Sequence, residues 1–236
     1  MEPASFMRPT VLLFDIDGTL VTTGGVGRRA LELAFERAHG RRDACAGFRF
    51  DGMTDRAIVR AGLDALGVAP TPASIEAVLA AYLDVLADEV AAAPAQTYRV
   101  HAGICETLDA AAAQSQFAIG LGTGNVRQGA RIKLERVALF DRFGFGGFGC
   151  DDEDRTALLL CGAERGAASL GVALSRARVV VIGDTPKDVS AAHGIGAESV
   201  GVGTGSFSVA DLLAAGATRA FPSLAVSGAL EAVLGL

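Results

Sequence analysis

Asp15 and Asp17 stand two residues apart in Asp15-Ile16-Asp17-Gly18-Thr19, directly after the apolar run Val11 to Phe14. Two carboxylates at this spacing can face one site if the chain leaves a strand there. One is then placed to attack an electrophile such as phosphorus, the other to handle a leaving-group proton. Gly18 permits a tight exit that turns backbone N–H groups toward an anion. An ordinary Asp-Gly turn has the same composition, and the pentapeptide alone does not separate the two readings. A second segment, Gly122-Thr123-Gly124-Asn125, closes another apolar run and precedes a helical pattern. A hydroxyl and free amides at a helix N-terminus form a phosphate cradle, although Thr123 or Asn125 would also serve as a plain helix cap. The third is Gly183-Asp184-Thr185-Pro186-Lys187-Asp188, after Val179 to Ile182. Two acids four apart at a strand end supply hard oxygens for Mg²⁺, which keeps several waters and takes few carboxylates. Asp184 capping a helix with Pro186 in its first turn is the plainer alternative. All three segments follow apolar runs, so one sheet edge would gather them.

The elements that must position these residues follow from hydrophobic patterning. Val11 to Phe14, Phe117 to Leu121, Val179 to Ile182 and Ser199 to Val202 are continuous apolar runs, as expected of strands buried on both faces of a parallel sheet. Helical patterns over Arg127 to Leu139, Ala157 to Leu170 and Val189 to His193 lie between them. The alternation predicts an α/β fold, a Rossmann-like parallel-sheet core. Ligands of such sheets bind beyond the carboxyl ends of the strands. Between Gly24 and Gln96 the periodicity is helical only: Leu31, Phe35 and Ala38 share one face, Ile58, Leu63 and Leu66 a second, and Ile75 to Val90 form a long third helix. This stretch is too long for a simple crossover. It reads as an inserted helical cap, residues 23–96, within a core of residues 1–22 and 97–236, with hinges near Thr22 to Gly27 and Pro94 to Tyr98.

Half of the 236 residues are hydrophobic and the net charge is -6. That charge argues against a nucleic-acid partner, which needs a basic face, but not against a small anion held by a few local cations. Cys45, Cys105, Cys150 and Cys161 form no CxxC and read as free, buried thiols in a reducing compartment. Met1 to Thr10 contains no apolar signal core, and no apolar stretch approaches the ~20 residues of a spanning helix. The expectation is a soluble, cytoplasmic protein with no membrane partner. Gly25 to Ala30 matches GxGxxA but does not directly follow a strand, and hinge glycines explain it better. Gly201, Gly203 and Gly205 have the wrong spacing for a dinucleotide loop. His39, His101 and His193 lie outside the three motifs and read as surface or packing residues.

Taken as a set, the motifs resemble those of the haloacid dehalogenase-like hydrolases, specifically the phosphoglycolate phosphatase-like branch with a helical cap. The resemblance runs over nearly the whole chain and includes Phe50-Asp51-Gly52-Met53-Thr54-Asp55 in the insert. It implies that Asp15 is a nucleophile that becomes an aspartyl phosphate. Asp17 would be the acid/base and give its backbone carbonyl to the metal. Thr123, with Gly124 and Asn125, would bind phosphoryl oxygens. Asp184 would ligate Mg²⁺ together with Asp15, and Asp188 would support the ion directly or through water. Many relatives carry Lys-Pro where this chain has Asp154-Arg155-Thr156. The phosphate-site cation is therefore assigned to Arg155, whose planar fork suits carboxylate and phosphate. Lys133 is the runner-up, some two turns into its helix and so expected to be too far away.

The implied activity is Mg²⁺-dependent hydrolysis of a small phosphorylated metabolite. A phosphosugar mutase of the same superfamily and a non-catalytic phosphate-binding scaffold are the alternatives; a dehalogenase would need neither the second carboxylate nor the metal pair. Arg28, Thr54, Asp55 and Arg56 are the candidates for selectivity in the cap. Oligomeric state is not legible from the sequence.

Overall fold

The computed structural model describes residues 8–236; most of the opening segment searched for a signal core, residues 1–7, lies outside them. Strand β1 (Thr10–Phe14) is buried along its whole length and forms the middle of a six-stranded sheet. Its partners are β4 (Phe117–Thr123) on one side and β6 (Arg178–Gly183) on the other, both parallel. Short ribbon strands β2 (Val21–Thr22) and β3 (Arg99–Val100) pair antiparallel away from this sheet. With β5 (Phe145–Phe148), β7 (Glu198–Val202) and β8 (Arg219–Phe221), the order is β5-β4-β1-β6-β7-β8. Every pairing in it is parallel.

The pleat sends alternate β1 residues to opposite faces. Leu12 and Phe14 join a core with Ile104, Leu108, Val180 and Ile182. Val11 and Leu13 meet Leu158, Leu159, Ala163 and Val181 on the other side. The covering helices are α4 (Ile104–Ala112), α5 (Arg127–Glu135), α6 (Arg155–Ser169), α7 (Pro186–Gly194), α8 (Val209–Ala214) and α9 (Ala229–Leu234). A separate apolar cluster lies in the inserted stretch. There α1 (Val26–His39), α2 (Asp55–Ala65) and α3 (Pro72–Ala92) bury Leu31, Phe35, Ile58, Leu63 and Leu86 together.

Several details differ from the sequence reading. Ala38 does not share the buried face of Leu31 and Phe35, because the last turn of α1 (Glu36, Arg37, Ala38) is exposed. Helix α5 ends at Glu135, not Leu139: Ala138 takes a left-handed conformation (φ 55) and Leu139 N–H donates back to Leu134 O at 3.0 Å. This closure satisfies orphan carbonyls and lets Leu139 reach the core beside Leu134. The thiols are free as expected, but only Cys45 is buried; Cys105 and Cys150 are exposed. Burial pushes the Cys45 thiol up to about 11, so it is inert at neutral pH. Among the described residues, no helix is long and apolar enough to cross a membrane.

Candidate active site

Parallel register decides what meets at the sheet edge. Phe14 lies opposite Leu121 of β4 and Ile182 of β6, so the three strands release their chains at the same edge of the sheet. Asp15 N–H still donates to Ile182 O at 2.9 Å, which fixes the carboxylate beyond the last core residue. Thr123 ends β4, and Asp184 follows β6. The strand order changes direction at β1, so the crevice of an open α/β sheet falls between these ends. Gly18 has φ +84 and lies against the Asp184 carboxylate, where any Cβ would collide. The turn after Asp17 is thus restricted to glycine by both conformation and contact.

Two buried cations organise the acids into two groups. Arg155, at the start of α6, donates through Nε to Asp188 Oδ1 at 2.9 Å, and its Nη2 lies 3.0 Å from Asp15 Oδ1. The other Asp188 oxygen accepts from the N–H and hydroxyl of Thr185, at 3.0 and 2.7 Å, as part of the α7 capping box. Lys133 holds the second group. Its Nζ donates to Asp17 Oδ2 and to Asn125 Oδ1, both at 2.6 Å. Asn125 Nδ2 in turn donates to Asp17 Oδ2 at 3.0 Å and to Thr123 Oγ1 at 2.9 Å. Thr123 is fully buried and its hydroxyl, accepting from Asn125, keeps its own proton to donate.

The expectation that Lys133 lies too far from the site is therefore corrected. Six residues of rise separate it from the start of α5, about 9 Å along the axis. Helical side chains lean toward the N-terminus, however, and a lysine stem covers most of that distance. Thr19, inside the first motif, also has a contact not anticipated: its hydroxyl donates to Asp184 Oδ1 at 3.1 Å.

These groupings set the electrostatics. Burial pushes the Asp15 carboxyl above its ordinary range; Arg155 opposes this, and repulsion from Asp188 and Asp17 adds to it. Asp184 is raised further, again by burial and then by the charges of Asp188 and Asp15. Burial acts the same way on Asp17, but the Lys133 ammonium and the hydrogen bonds from Lys133, Asn125 and Thr23 outweigh it and hold that carboxyl low. Asp15, Asp184 and Asp188 place oxygens within 4.8 Å of one another. Both oxygens of Asp188 already have partners, so Asp15 and Asp184 supply the oxygens left over. An all-oxygen set with surplus negative charge suits a hard divalent cation.

The inserted helices cover this edge and enclose a cavity of about 460 Å³ with it. Asp55, first residue of α2, donates its N–H to Gly124 O and accepts from Val126 N–H, each at 2.8 Å. Burial raises its carboxyl to about 6, against the pull of Lys133 and the Val126 N–H. Thr54 caps α2 and donates to Glu153 O at 3.1 Å, while Arg60 pairs with the Glu153 carboxylate at 2.8 Å. Arg28 reaches the cavity wall but is committed to Cys45 O, Phe48 O and the face of Phe50. Arg56 pairs with Glu76 away from the cavity wall.

The sequence pattern of the haloacid dehalogenase-like hydrolases matches residues 9–196. The chain belongs to this family. No curated protein matches it by overall similarity. Among solved structures, it resembles CbbY from Rhodobacter sphaeroides in complex with phosphate, at 20% identity and a TM-score of 0.71, over 98% of this chain and 100% of that one. A predicted phosphoglycolate phosphatase from Haemophilus somnus gives 15% identity and 0.65, over 94% and 97%. A candidate β-phosphoglucomutase from Bacteroides vulgatus gives 19% and 0.65, over 98% and 93%. At these identities the likeness is one of fold. Membership of the family fits the oxygen-rich cluster beneath the inserted helices.

Proposed function

We propose that the chain is a magnesium-dependent phosphatase that hydrolyses a small phosphate monoester of the phosphoglycolate kind through an aspartyl phosphate on Asp15. The observation that carries this reading is the convergence of Asp15, Thr123 and Asp184 at the ends of three adjacent parallel strands, with Arg155 against Asp15. The Asp15 oxygen paired with Arg155 would also face the ion, and the other would attack phosphorus. The bond from phosphorus to the alcohol oxygen breaks, and that oxygen takes a proton from Asp17. Asp17 then accepts a proton from the water that attacks the acyl phosphate, releasing phosphate and regenerating Asp15. Lys133 holds the Asp17 carboxyl low; a phosphoryl dianion nearby would raise it and let it carry the first proton.

Thr123, the backbone at Gly124 and Asn125, and Arg155 would receive the phosphoryl oxygens. Asp15, the Asp17 carbonyl and Asp184 would hold Mg²⁺, with Asp188 contributing mainly by fixing Arg155. The ion supplies charge neutralisation to the transferring group, where positioning and electrostatics do most of the work. The core would comprise residues 1–22 and 97–236, and the cap residues 23–96, closing over the site to exclude water. A screen of phosphorylated metabolites for phosphate release, with and without Mg²⁺, tests the reading, and following isomer formation separates hydrolysis from mutase activity. Asp15→Asn should abolish release while leaving the fold intact. Unaltered turnover by that variant would remove the covalent step.

A further inference from the structure

Every buried side-chain nitrogen or oxygen among the described residues has a hydrogen-bond partner except the hydroxyl of Tyr82. Tyr82 lies within α3, is fully buried, and forms part of the cavity wall above Asp15 and Asp17. The chain has two tyrosines. The other, Tyr98, spends its hydroxyl on Lys133 O at 2.7 Å. A phenol in an apolar wall with no partner carries a desolvation cost that phenylalanine at the same place would avoid. Such a group marks a place where a partner arrives from outside.

The surroundings indicate what that partner is. Helix α1 begins at the same cavity: Gly25 and Gly27 line it, no side chain caps the first turn, and no acid stands in it. A Cβ on Gly27 would lie 3.3 Å from Lys133 Nζ, so the helix start and the ammonium share one side of the cavity. Both favour an electron-rich ligand atom. Leu31, Ile58 and Met53 complete an apolar wall that admits small ligands without offering them polar contacts. Burial, and then the carboxylates of Asp55 and Asp17, hold the Tyr82 phenol well above its ordinary pKa, so it remains a donor.

We propose that Tyr82 reads the substrate: its O–H donates to a second oxygen on the leaving group, so the site prefers phosphate esters of small oxygenated alcohols to plain alkyl phosphates. This rests on the phosphatase reading and adds to it the residue that selects the alcohol. A site built to hydrogen-bond an oxygen rejects the analogue without it more strongly than an apolar pocket rejects a missing methylene.

The test compares Tyr82→Phe with the parent, each with Mg²⁺, on phosphoglycolate, glycerol 1-phosphate, ethyl phosphate and propyl phosphate. The carboxylate and hydroxyl arms show which kind of oxygen is read. The variant should lose about tenfold or more in kcat/KM on the favoured oxygenated ester and less than about twofold on the alkyl esters. Its ligand-free melting temperature should equal or exceed that of the parent, because the deleted hydroxyl has no partner to lose. Equal losses on all four esters, or no loss on any, would overturn the assignment, as would a clear fall in melting temperature with unchanged selectivity. If the parent releases phosphate from none of the four, the phosphatase reading falls and takes this inference with it. If it hydrolyses them and only the selectivity fails to change, the inference alone is wrong.

Discussion

Lys133→Met isolates the cation that the sequence placed out of reach. Methionine keeps most of the stem's length and packing while removing the ammonium, so Asp17 and Asn125 each lose a 2.6 Å partner. A hydrogen bond to a charged group contributes about 1.5–3 kcal/mol. Truncating one member of a fully buried ion pair costs about 3–5 kcal/mol. The Lys133 side chain is 4% exposed but that of Asp17 is 41% exposed, so screening brings the figure toward the lower range. About 2 kcal/mol is a fair value, which corresponds to roughly 30-fold in kcat/KM. Without the ammonium, burial governs Asp17 and its carboxyl rises, so the alkaline limb of the kcat/KM profile, set by the acid that protonates the leaving group, should move to higher pH. Phosphate release measured from about pH 4 to about pH 9 reads both effects. The stability change has its own sign. A carboxyl held low in the folded state stabilises above its unfolded pKa, and that contribution is lost as pH falls through the folded value. The parent should therefore melt higher than the variant at neutral pH, with the gap closing below about pH 4. Activity within twofold of the parent, with an unmoved alkaline limb, would show that the Lys133–Asp17 contact plays no part in turnover.

Three other perturbations separate the remaining groups. Arg155→Ala leaves Asp15 and Asp188 facing each other without a cation and should cost at least as much kcat/KM as Lys133→Met; Arg155→Lys should recover part of it, because one ammonium cannot reproduce the fork. Magnesium titrations should show a sharply raised Mg²⁺ requirement for Asp184→Ala, whereas Asp188→Ala should act mainly on melting temperature, since it removes both the Arg155 partner and the α7 capping box. Without metal, Asp15, Asp184 and Asp55 have raised carboxyls, and groups raised in the folded state favour it at low pH and lose that contribution as pH rises through their folded values. The metal-free protein should accordingly melt higher near about pH 5 than near about pH 8, and Mg²⁺ should narrow the difference; the opposite slope would mean that these acids are already compensated.

The parallel core was legible because β1 and β6 carry runs of Val, Leu, Ile and Phe, and β4 and β7 carry apolar residues interspersed with glycine, as expected of a doubly covered sheet. Strand β5 was not, because its sequence is Phe145-Gly146-Gly147-Phe148. Gly147 packs against the α6 backbone at Leu158 and Gly162, so the residue that weakens the strand signal is the one that lets the helix approach. Strand β8 is three residues at the edge and leaves almost no periodic trace. In the site, the motif carboxylates were visible as strand-end residues, and the structure brings Asp15, Asp17, Thr123, Asn125, Arg155, Asp184 and Asp188 to one edge. Lys133 was misplaced because axial rise was counted without side-chain direction. Tyr82 had no signal at all: in an Ala-rich amphipathic helix, a tyrosine with an unpaired hydroxyl looks the same as one with a partner.

The charge pattern ties the parts together. Asp15 and Asp188 share Arg155, and Asp17 is held by Lys133; among the described residues Asp184 has a hydroxyl as its hydrogen-bond donor and no salt bridge. A phosphoryl dianion entering this cavity meets carboxylates raised by burial and by one another, beneath cap contacts at Gly124, Val126 and Glu153. Lower effective dielectric strengthens attraction and repulsion alike. A divalent cation held by Asp15 and Asp184 would reverse the balance, since it would relieve repulsion among the acids and attract the phosphoryl oxygens. The two ligands must then raise each other's affinity by the same factor. Closure of the cap enlarges that factor, because it removes the solvent that would otherwise screen the carboxylates from the incoming phosphate. On this argument the hydrogen bonds at Asp55 belong to the same device as the acids beneath them: they fasten the inserted helices to the strand ends where metal and phosphate would depend on each other.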